Sequence, residues 1–221
     1  IVLLQHRQVD LAICISLHNY DKIDTCFRLL MSIMTHVIID SSSFIFYRVT
    51  ATMSWWHKSG HSEPIGKENA FIGHLESQCL KSLEKFSKIT SVPIGDMILA
   101  RDCHIEEIWR RRYCKLYKSD RLEAGKQCPS IYGQYIRHLN DFLHDRVRAV
   151  LRVPGAEADD IVGVLLHYLS STAPDSVIYI ASGDSDFVQA LLLPNVRLYN
   201  PKGWEEVKCS DPAGAVAAKI V

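Results

Sequence analysis

The stretch VIYIASGDSDF, residues 177–187, decides the fold because it joins a short apolar run to a tight acidic turn. Its apolar residues are continuous rather than alternating, which is typical of a strand buried on both faces of a parallel sheet. Pro174 precedes the run and Gly183 ends it, so the strand has clear limits. We predict that Gly183 lets the chain turn sharply, so that Asp184 and Asp186 face the same side of the strand end.

Four further apolar runs occur along the chain, and segments of helical character separate them. The apolar runs are HVIIDSS (36–42), MILARD (97–102), AVLRVPG (149–155) and VRLYNP (196–201), the last of which we expect to be the final strand. The helical segments are 43–56, 69–88 and 157–171, with a short helix at 186–192. Strands that alternate with helices predict an α/β domain with a central, mainly parallel sheet flanked by helices.

Acidic residues follow four of these strands at their carboxyl ends. In an open parallel sheet these ends line one crevice, so the carboxylates are expected to converge there. Carboxylates in close contact raise one another's pKa, and divalent cations relieve that repulsion. Oxygen ligands suit Mg²⁺ or Mn²⁺ better than zinc, and two such ions about 3.5–4 Å apart support the hydrolysis of phosphodiesters. The candidate metal ligands are Asp40, Asp102, Glu157, Asp159, Asp160, Asp184 and Asp186.

Each acid taken alone has a simpler interpretation. Asp40 could do no more than cap the helix that follows it, and the acids of EADD could serve the dipole of theirs. The set of acids at successive strand ends is much harder to explain in this way. If the helix that contains EADD begins at Glu157, then Asp160 lies on the same helical face as Glu157 and Asp159 points away from that face. The predicted site therefore needs Glu157 in the turn before the helix.

The stretch IWRRRYCKLYKSDR, residues 108–121, carries charge of the opposite sign. Three of its basic residues recur along a potential helix with aromatic side chains between them, a pattern that suits phosphate contacts and base stacking. A basic run by itself is more often a solvated face. Beside an acidic cluster we interpret it as a nucleic-acid-binding segment. Its candidate residues are Arg110, Arg111, Tyr117, Lys118 and Arg121.

The overall composition excludes several classes of protein. The chain has 221 residues, 48% of them hydrophobic and 23% charged, with a formal net charge of zero, so any attraction to nucleic acid must come from local patches. The seven cysteines are scattered and form no CxxC pair, which predicts a reducing compartment and no zinc framework. We find no signal peptide and no apolar run of about 18 residues, and therefore expect an intracellular protein without a membrane role.

The combination of motifs resembles a known family. AEADD and SGDSDF, preceded by an acid at the first strand end and by D-x6-WR-x6-YK-x2-R, look like the 5′-nuclease family. This family includes flap endonucleases, the 5′-exonuclease domain of bacterial DNA polymerase I and phage ribonuclease H. The run SGDSDFVQALLLPNVRLYNP is most similar to the phage ribonuclease H branch. The resemblance covers about residues 35–208 and implies a PIN-like α/β fold with a helical arch.

The resemblance also implies roles for the candidate residues. Five of the seven acids would hold a first divalent ion directly or through water, while Asp160 and Asp186 would lie close by and partly serve a second ion. Tyr117, Lys118 and Arg121 would lie at the base of the arch. Lys118 and Arg121 would stabilise charge on the scissile phosphate, and Tyr117 would stack on an unpaired base.

The implied activity is that of a divalent-metal-dependent 5′-3′ exonuclease and flap endonuclease that removes RNA primers or 5′ flaps in replication or repair. Its cofactors would be two Mg²⁺ or Mn²⁺ ions. Its substrates would be DNA with a 5′ flap or a single-stranded 5′ end, and RNA–DNA hybrids; replication proteins would be its partners, and the chain is expected to be a monomer. Two alternatives stay open, a PIN-like ribonuclease without a basic arch and a non-catalytic nucleic-acid-binding relative.

We expect three segments along the chain. Residues 1–33 form an upstream extension with no counterpart in the family, 34–208 the catalytic domain with its arch at about 105–146, and 209–221 the start of a C-terminal helical region. The sequence starts at Ile1 rather than Met and stops at Val221 inside an apolar run. These features predict a fragment that lacks the family's C-terminal helical hairpin and two further metal-binding aspartates.

Overall fold

The computed structural model describes residues 35–61, 64, 68–119 and 130–217, so the upstream extension and part of the predicted arch, with Arg121, lie outside it. The strands are β1 (Thr35–Asp40), β2 (Ile98–Arg101), β3 (Ala149–Arg152), β4 (Val177–Ala181), β5 (Val196–Asn200) and β6 (Glu205–Glu206). The helices are α1 (Ser41–Lys58), α2 (Glu68–Thr90), α3 (Arg110–Tyr113), α4 (Ser130–His144), α5 (Ala158–Thr172) and α6 (Pro212–Ala217), with 3₁₀ helices at Ile94–Asp96 and Ser185–Leu192. None of the helices in these ranges has the length and apolar character needed to cross a membrane.

The six strands form one sheet in the order β3, β2, β1, β4, β5, β6. Strands β1 to β5 pair in parallel, and β6 pairs with β5 in the antiparallel sense. This architecture confirms the predicted α/β class with its mainly parallel sheet. The direction in which the strands are added reverses between β1 and β4, and at such a point the carboxyl ends of two neighbouring strands open a crevice.

The prediction that VRLYNP is the final strand is wrong, because β6 follows it. Glu205 and Glu206 are both exposed, so no apolar pattern marks this strand in the sequence. The strand forms because the chain doubles back at Trp204, whose backbone N–H donates to the carbonyl oxygen of Asn200 at 2.8 Å. The ring of Trp204 stacks on Phe86 of α2 with 4.1 Å between centroids. A tertiary contact therefore creates this edge of the sheet.

Apolar side chains cover both faces of the sheet. In β1 the side chains of Val37 and Ile39 join the core formed with α1, α2 and α4, whereas Ile38 joins the core beneath α5. All three are fully buried. Because successive side chains of a strand point to opposite faces, burial on both faces produces a continuous apolar run. This packing fixes the strand ends that carry the acidic residues.

We predict that Leu75→Ala lowers the free energy of unfolding by about 2–5 kcal/mol, because its side chain is fully buried in the core between α2 and the sheet. Leu80→Ala on the same helix is the matched control. Leu80 lies on a surface groove and is only half-buried, so its truncation should cost about 1 kcal/mol. Urea unfolding at equilibrium measures both values. Equal losses would contradict the described packing of α2.

Candidate metal centre and nucleic-acid interface

Asp40 ends β1 and is buried, with 7% of its surface exposed. Its Oδ1 accepts a hydrogen bond from the backbone N–H of Ser43 at 3.2 Å and so caps α1. Its Oδ2 accepts one from the hydroxyl of Ser182 at 2.8 Å. Burial, and to a smaller extent the charges of Asp102 and Asp184, raise the pKa of Asp40 to about 6. Asp40 is therefore a helix cap, as the simpler interpretation holds, and it also lies within electrostatic range of two other candidate ligands.

Asp184 and Asp186 follow β4 in a turn that is held by hydrogen bonds. The hydroxyl of Ser182 accepts from the backbone N–H of Asp184 at 3.1 Å, and Asp184 Oδ1 accepts from the N–H of Asp186 at 2.9 Å. The N–H of Gly183 donates to the hydroxyl of Ser43 at 2.9 Å. A Cβ at Gly183 would lie 3.1 Å from that hydroxyl, and Gly183 is not in the left-handed region. Gly183 thus approaches Ser43 closely, and a larger residue here would require the Ser43 hydroxyl to shift.

Asp102 lies just beyond β2 and connects two helices. Its Oδ2 accepts a hydrogen bond from the hydroxyl of Ser42 in α1 at 2.6 Å. Its Oδ1 accepts one from the backbone N–H of Ala158, the first residue of α5, at 2.6 Å. The carboxylate is therefore held at the crevice between α1 and the start of α5.

Glu157, Asp159 and Asp160 form the tightest group of acids in the described residues. Each offers one carboxylate oxygen, and these oxygens all lie within 4.8 Å of one another. Glu157 is the N-cap of α5 in extended conformation and forms a capping box with Asp160. Glu157 thus precedes the helix, as the predicted site requires. Burial and the neighbouring charges of Asp160 and Glu157 raise the pKa of Asp159 although Arg110 opposes them.

The basic and aromatic stretch contacts Glu157 directly. Arg110 Nη1 lies 2.7 Å from Glu157 Oε2, and the hydroxyl of Tyr117 donates to the same oxygen at 2.9 Å. The ammonium of Lys118 donates to Glu157 Oε1. Burial acts to raise the pKa of Glu157, but the hydrogen bonds from Lys118 and Tyr117, together with the charges of Lys118 and Arg110, outweigh it and lower this pKa.

The potential helix through residues 108–121 is interrupted, contrary to expectation. The helix α3 ends at Tyr113, and Cys114 is extended with φ of −135° and ψ of 101°. Lys118 has a φ of 51°, in the left-handed region. This backbone path places the Lys118 ammonium on Glu157 instead of along a solvated helical face. The basic stretch therefore turns toward Glu157 instead of continuing as a helix.

The remaining candidates of this stretch have other surroundings. Arg111 Nη1 donates to the carbonyl oxygen of Tyr117 at 2.7 Å and so braces the turn before Lys118. Tyr113 and Leu116 are exposed by 81% and 80%. Nucleic-acid binding by Arg110, Arg111, Tyr117 and Lys118 stays a prediction, and so does any role of Arg121, which lies outside the described residues.

Four residues that hold the carboxylates in place were missed by the sequence analysis. Three are serines, at the start of α1 and just before Gly183, and the fourth is a tryptophan whose indole N–H donates to Asp160 Oδ2 at 3.1 Å. A short hydroxyl side chain next to an acid at a strand end is the signal that could have found the serines. The four residues are Ser42, Ser43, Ser182 and Trp109.

The donor set fits a hard divalent cation. The acids after β3 supply three carboxylate oxygens that lie within 4.8 Å of one another. Asp40 lies in electrostatic range of Asp102 and Asp184. All seven candidate ligands are carboxylates, which suit Mg²⁺ and Mn²⁺. A buried carboxylate with raised pKa is one that a cation stabilises in its ionised form.

Comparison with known proteins identifies the family. Residues 35–219 match the family described as 5′-3′ exonuclease, N-terminal resolvase-like domain, which is most of the chain. The chain belongs to this family. The resemblance to 5′-nucleases inferred from the motifs is thereby confirmed, as is the PIN-like α/β class of the fold.

Solved structures of bacteriophage T5 proteins share this architecture. The bacteriophage T5 D15 protein co-crystallized with metal ions is similar with a TM-score of 0.56 at 15% identity, over 80% of this chain and 58% of that chain. The T5 5′-exonuclease with bound zinc ions is similar with a TM-score of 0.55 at 14% identity, over 80% of this chain and 59% of that chain. The T5 D15 flap endonuclease in a pseudo-enzyme-product complex with DNA and metal ions is similar with a TM-score of 0.55 at 14% identity. The similarity covers 80% of this chain and 58% of that chain.

At these identities the similarity shows the shared fold. The chain spans less than two thirds of the length of each of these structures. A comparison with curated protein sequences found no match.

We predict that Asp40→Asn raises the stability of the metal-free protein at alkaline pH. The folded-state pKa of Asp40, about 6, lies above its ordinary value of 3.8, so its contribution to stability is present below about pH 4 and is lost as the pH rises through 6. The advantage of the neutral asparagine should therefore grow between pH 4 and 6 and reach about 1–3 kcal/mol at pH 8.

Urea unfolding in EDTA across this pH range tests the prediction for Asp40. The exposed acid Asp96 provides the control, since Asp96→Asn removes a carboxylate that the crevice does not contain. A variant Asp40→Asn that is less stable than the wild type at pH 8 in EDTA would contradict the prediction.

Proposed function

We propose that this chain is the nuclease domain of a divalent-metal-dependent 5′-3′ exonuclease and structure-specific flap endonuclease. The observation that carries the proposal is the convergence of acids at the carboxyl ends of β1, β2 and β4 and at the start of α5, next to Tyr117 and Lys118. Membership of the 5′-3′ exonuclease family supports the same reading. A fold alone hosts many chemistries, so the argument depends on this site.

We assign the first metal ion to Asp40, Asp102, Glu157, Asp159 and Asp184, and a partial share of a second ion to Asp186. Their oxygen donors favour Mg²⁺ or Mn²⁺, and two ions are expected. When bound, such ions activate water and stabilise the charge of the leaving oxygen in phosphodiester hydrolysis. The serines that donate to Asp40 and Asp102 orient these carboxylates before any cation arrives.

The basic stretch would bind the nucleic acid beside this centre. Lys118, whose side chain is 27% exposed, can reach both Glu157 and a phosphate placed at the crevice. It would neutralise charge on the scissile phosphate, and the ring of Tyr117 would stack on an unpaired base. Arg111 would hold the backbone of this turn in position through its bond to Tyr117. Arg121 enters the proposal through the motif alone.

The finer assignments belong to the same proposal. The catalytic domain would comprise residues 34–208, with an arch at about 105–146 whose last helix, α4, packs in the core with α1 and α2. The substrates would be DNA with a 5′ flap or single-stranded 5′ end and RNA–DNA hybrids, as in primer removal during replication or repair. The protein would act as a monomer inside the cell, together with replication proteins.

Asp184→Asn tests the nuclease assignment. With Mg²⁺ and a 5′-labelled flap substrate we expect short 5′ products from the wild type, none in EDTA, and a rate lowered by more than about 100-fold in the variant, beyond the loss typical of a residue that only orients a ligand. Binding of the flap substrate should survive the substitution. Asp175→Asn is the matched control, since Asp175 is exposed and precedes the amino end of the same strand. It should cleave like the wild type.

Three results would count against the proposal. Unchanged cleavage by Asp184→Asn would show that the crevice is not the catalytic site. Metal-dependent cleavage of single-stranded RNA alone, with flap DNA untouched, would support a PIN-like ribonuclease. Flap binding without cleavage, both by this chain and by one extended beyond Val221, would support a non-catalytic nucleic-acid-binding relative.

A further inference from the structure

The carboxylate of Asp160 accepts hydrogen bonds from four protein donor atoms, three of them on one oxygen. Its Oδ1 accepts from Arg110 Nη2 at 2.8 Å. Its Oδ2 accepts from Arg110 Nη1 at 2.8 Å, from Trp109 Nε1 at 3.1 Å and from the backbone N–H of Glu157 at 3.0 Å. An ionised carboxylate offers about four lone-pair positions. Oδ2, with three donors, therefore has no position left for a cation, whereas Oδ1 accepts one hydrogen bond, from Arg110.

Asp159, its neighbour in the sequence, has very different surroundings. Its Oδ1 accepts from the backbone N–H of Asp160 at 2.8 Å. Its Oδ2 lies 3.6 Å from Arg110 Nη2, beyond hydrogen-bonding distance, and its side chain is 40% exposed compared with 14% for Asp160. The two adjacent acids therefore differ in how open they are to a ligand.

Arg110 joins Asp160 to Glu157. Its two guanidinium nitrogens form a bidentate pair with Asp160, and Nη1 also donates to Glu157 Oε2 at 2.7 Å. A planar guanidinium can bridge two carboxylates in fixed geometry, which a lysine ammonium cannot do. Glu157 Oε1 accepts from the ammonium of Lys118, a point charge on a flexible stem, and the Glu157 side chain also accepts from the backbone N–H of Asp160 in the capping box.

The backbone beneath this arrangement is held by two further hydrogen bonds. The N–H of Trp109 donates to the carbonyl oxygen of Gly155 at 2.8 Å, and that of Cys103 to Ala156 at 3.0 Å. Gly155 has a φ of 83° and brings its loop against the side chain of Trp109. Trp109 and Arg110 are thus carried by a segment that is fastened to the loop before α5, rather than by a free surface helix.

We propose that Asp160 is not a metal ligand but the anchor of a clamp, formed with Arg110 and Trp109, that positions Glu157 so that Glu157 and Asp159 face the metal. This inference rests on the proposed metal-dependent function. It reassigns Asp160 from the predicted ligand set, and Arg110 from phosphate contact to positioning. Neither residue touches the reacting atoms; both act through Glu157.

The indole N–H of Trp109 reports on the clamp in the wild-type chain. In ¹H–¹⁵N spectra its signal, assigned with Trp109→Phe, should keep the position and slow solvent exchange of a hydrogen-bonded indole when Mg²⁺ saturates the protein. If Asp160 turned to the metal, this N–H would lose its acceptor, its signal would move upfield and its exchange would speed up. That result would overturn the inference.

Variants test the positioning role through Mg²⁺ affinity, measured by calorimetry. Asp160→Asn should weaken binding by about tenfold, within the range of residues that orient a ligand, and Asp159→Asn should weaken it more. Arg110→Lys keeps the positive charge but loses the bidentate guanidinium, so it should weaken Mg²⁺ binding as much as Asp160→Asn does. The double variant should bind Mg²⁺ no more weakly than either single variant. Arg112→Lys, an exposed neighbour, should bind Mg²⁺ like the wild type.

The outcomes separate this inference from the proposed function. If the wild type binds no Mg²⁺, the metal-dependent function fails and the clamp fails with it. If the wild type binds Mg²⁺ but folded Asp160→Asn loses binding as fully as Asp159→Asn, or Arg110→Lys binds like the wild type, the clamp alone is overturned. The clamp is supported if Arg110→Lys and Asp160→Asn lower Mg²⁺ affinity equally, the double variant lowers it no further, and the indole N–H signal of Trp109 does not move.

Discussion

The concentration of negative charge in the crevice between β1 and β4 constrains the rest of this structure. Asp40 is buried there, and Asp102 and Asp184 lie close enough to raise its pKa further. Carboxylates in such a position repel one another and lose hydration, so an isolated cluster would be expelled to the surface. The sheet prevents this because β1 and β4 are packed on both faces, which leaves their ends no freedom to separate. The site is therefore stable only as part of the two-sided core.

Compensation for this charge is divided between neutral and charged donors. Around Asp40 and Asp102, the hydroxyls of Ser42 and Ser182 and the backbone N–H of Ala158 bind the carboxylates without adding charge. On the α5 side, Arg110 and Lys118 pair with Glu157. The first kind of donor orients the acids but leaves their charge for a cation to balance. The second balances it directly, which explains why the pKa of Asp40 is raised while that of Glu157 is lowered.

The basic stretch consequently has two different roles in one short segment. Arg110 faces inward and pairs with Asp160 and Glu157, whereas Tyr113 and Leu116 are almost fully exposed. A sequence pattern of alternating basic and aromatic residues suggests a uniform binding face. The structure instead shows that part of the positive charge is paired with acidic residues of the same domain. Substitutions of different arginines in this stretch should therefore affect metal binding and nucleic-acid binding to different extents.

The sequence by itself determined the α/β class, the order of the five parallel strands along the chain and the identity of the acids at their ends, because burial on both faces leaves a continuous apolar run in the sequence. The resemblance of the acidic and basic motifs to those of 5′-nucleases indicated the family, which the comparison confirms. Only the tertiary structure decided that β6 forms at Trp204, that Gly183 contacts Ser43, and that Asp159 and Asp160 differ in their partners. These features depend on hydrogen bonds and packing between residues far apart in the chain, and such contacts leave no periodic signal in a single sequence.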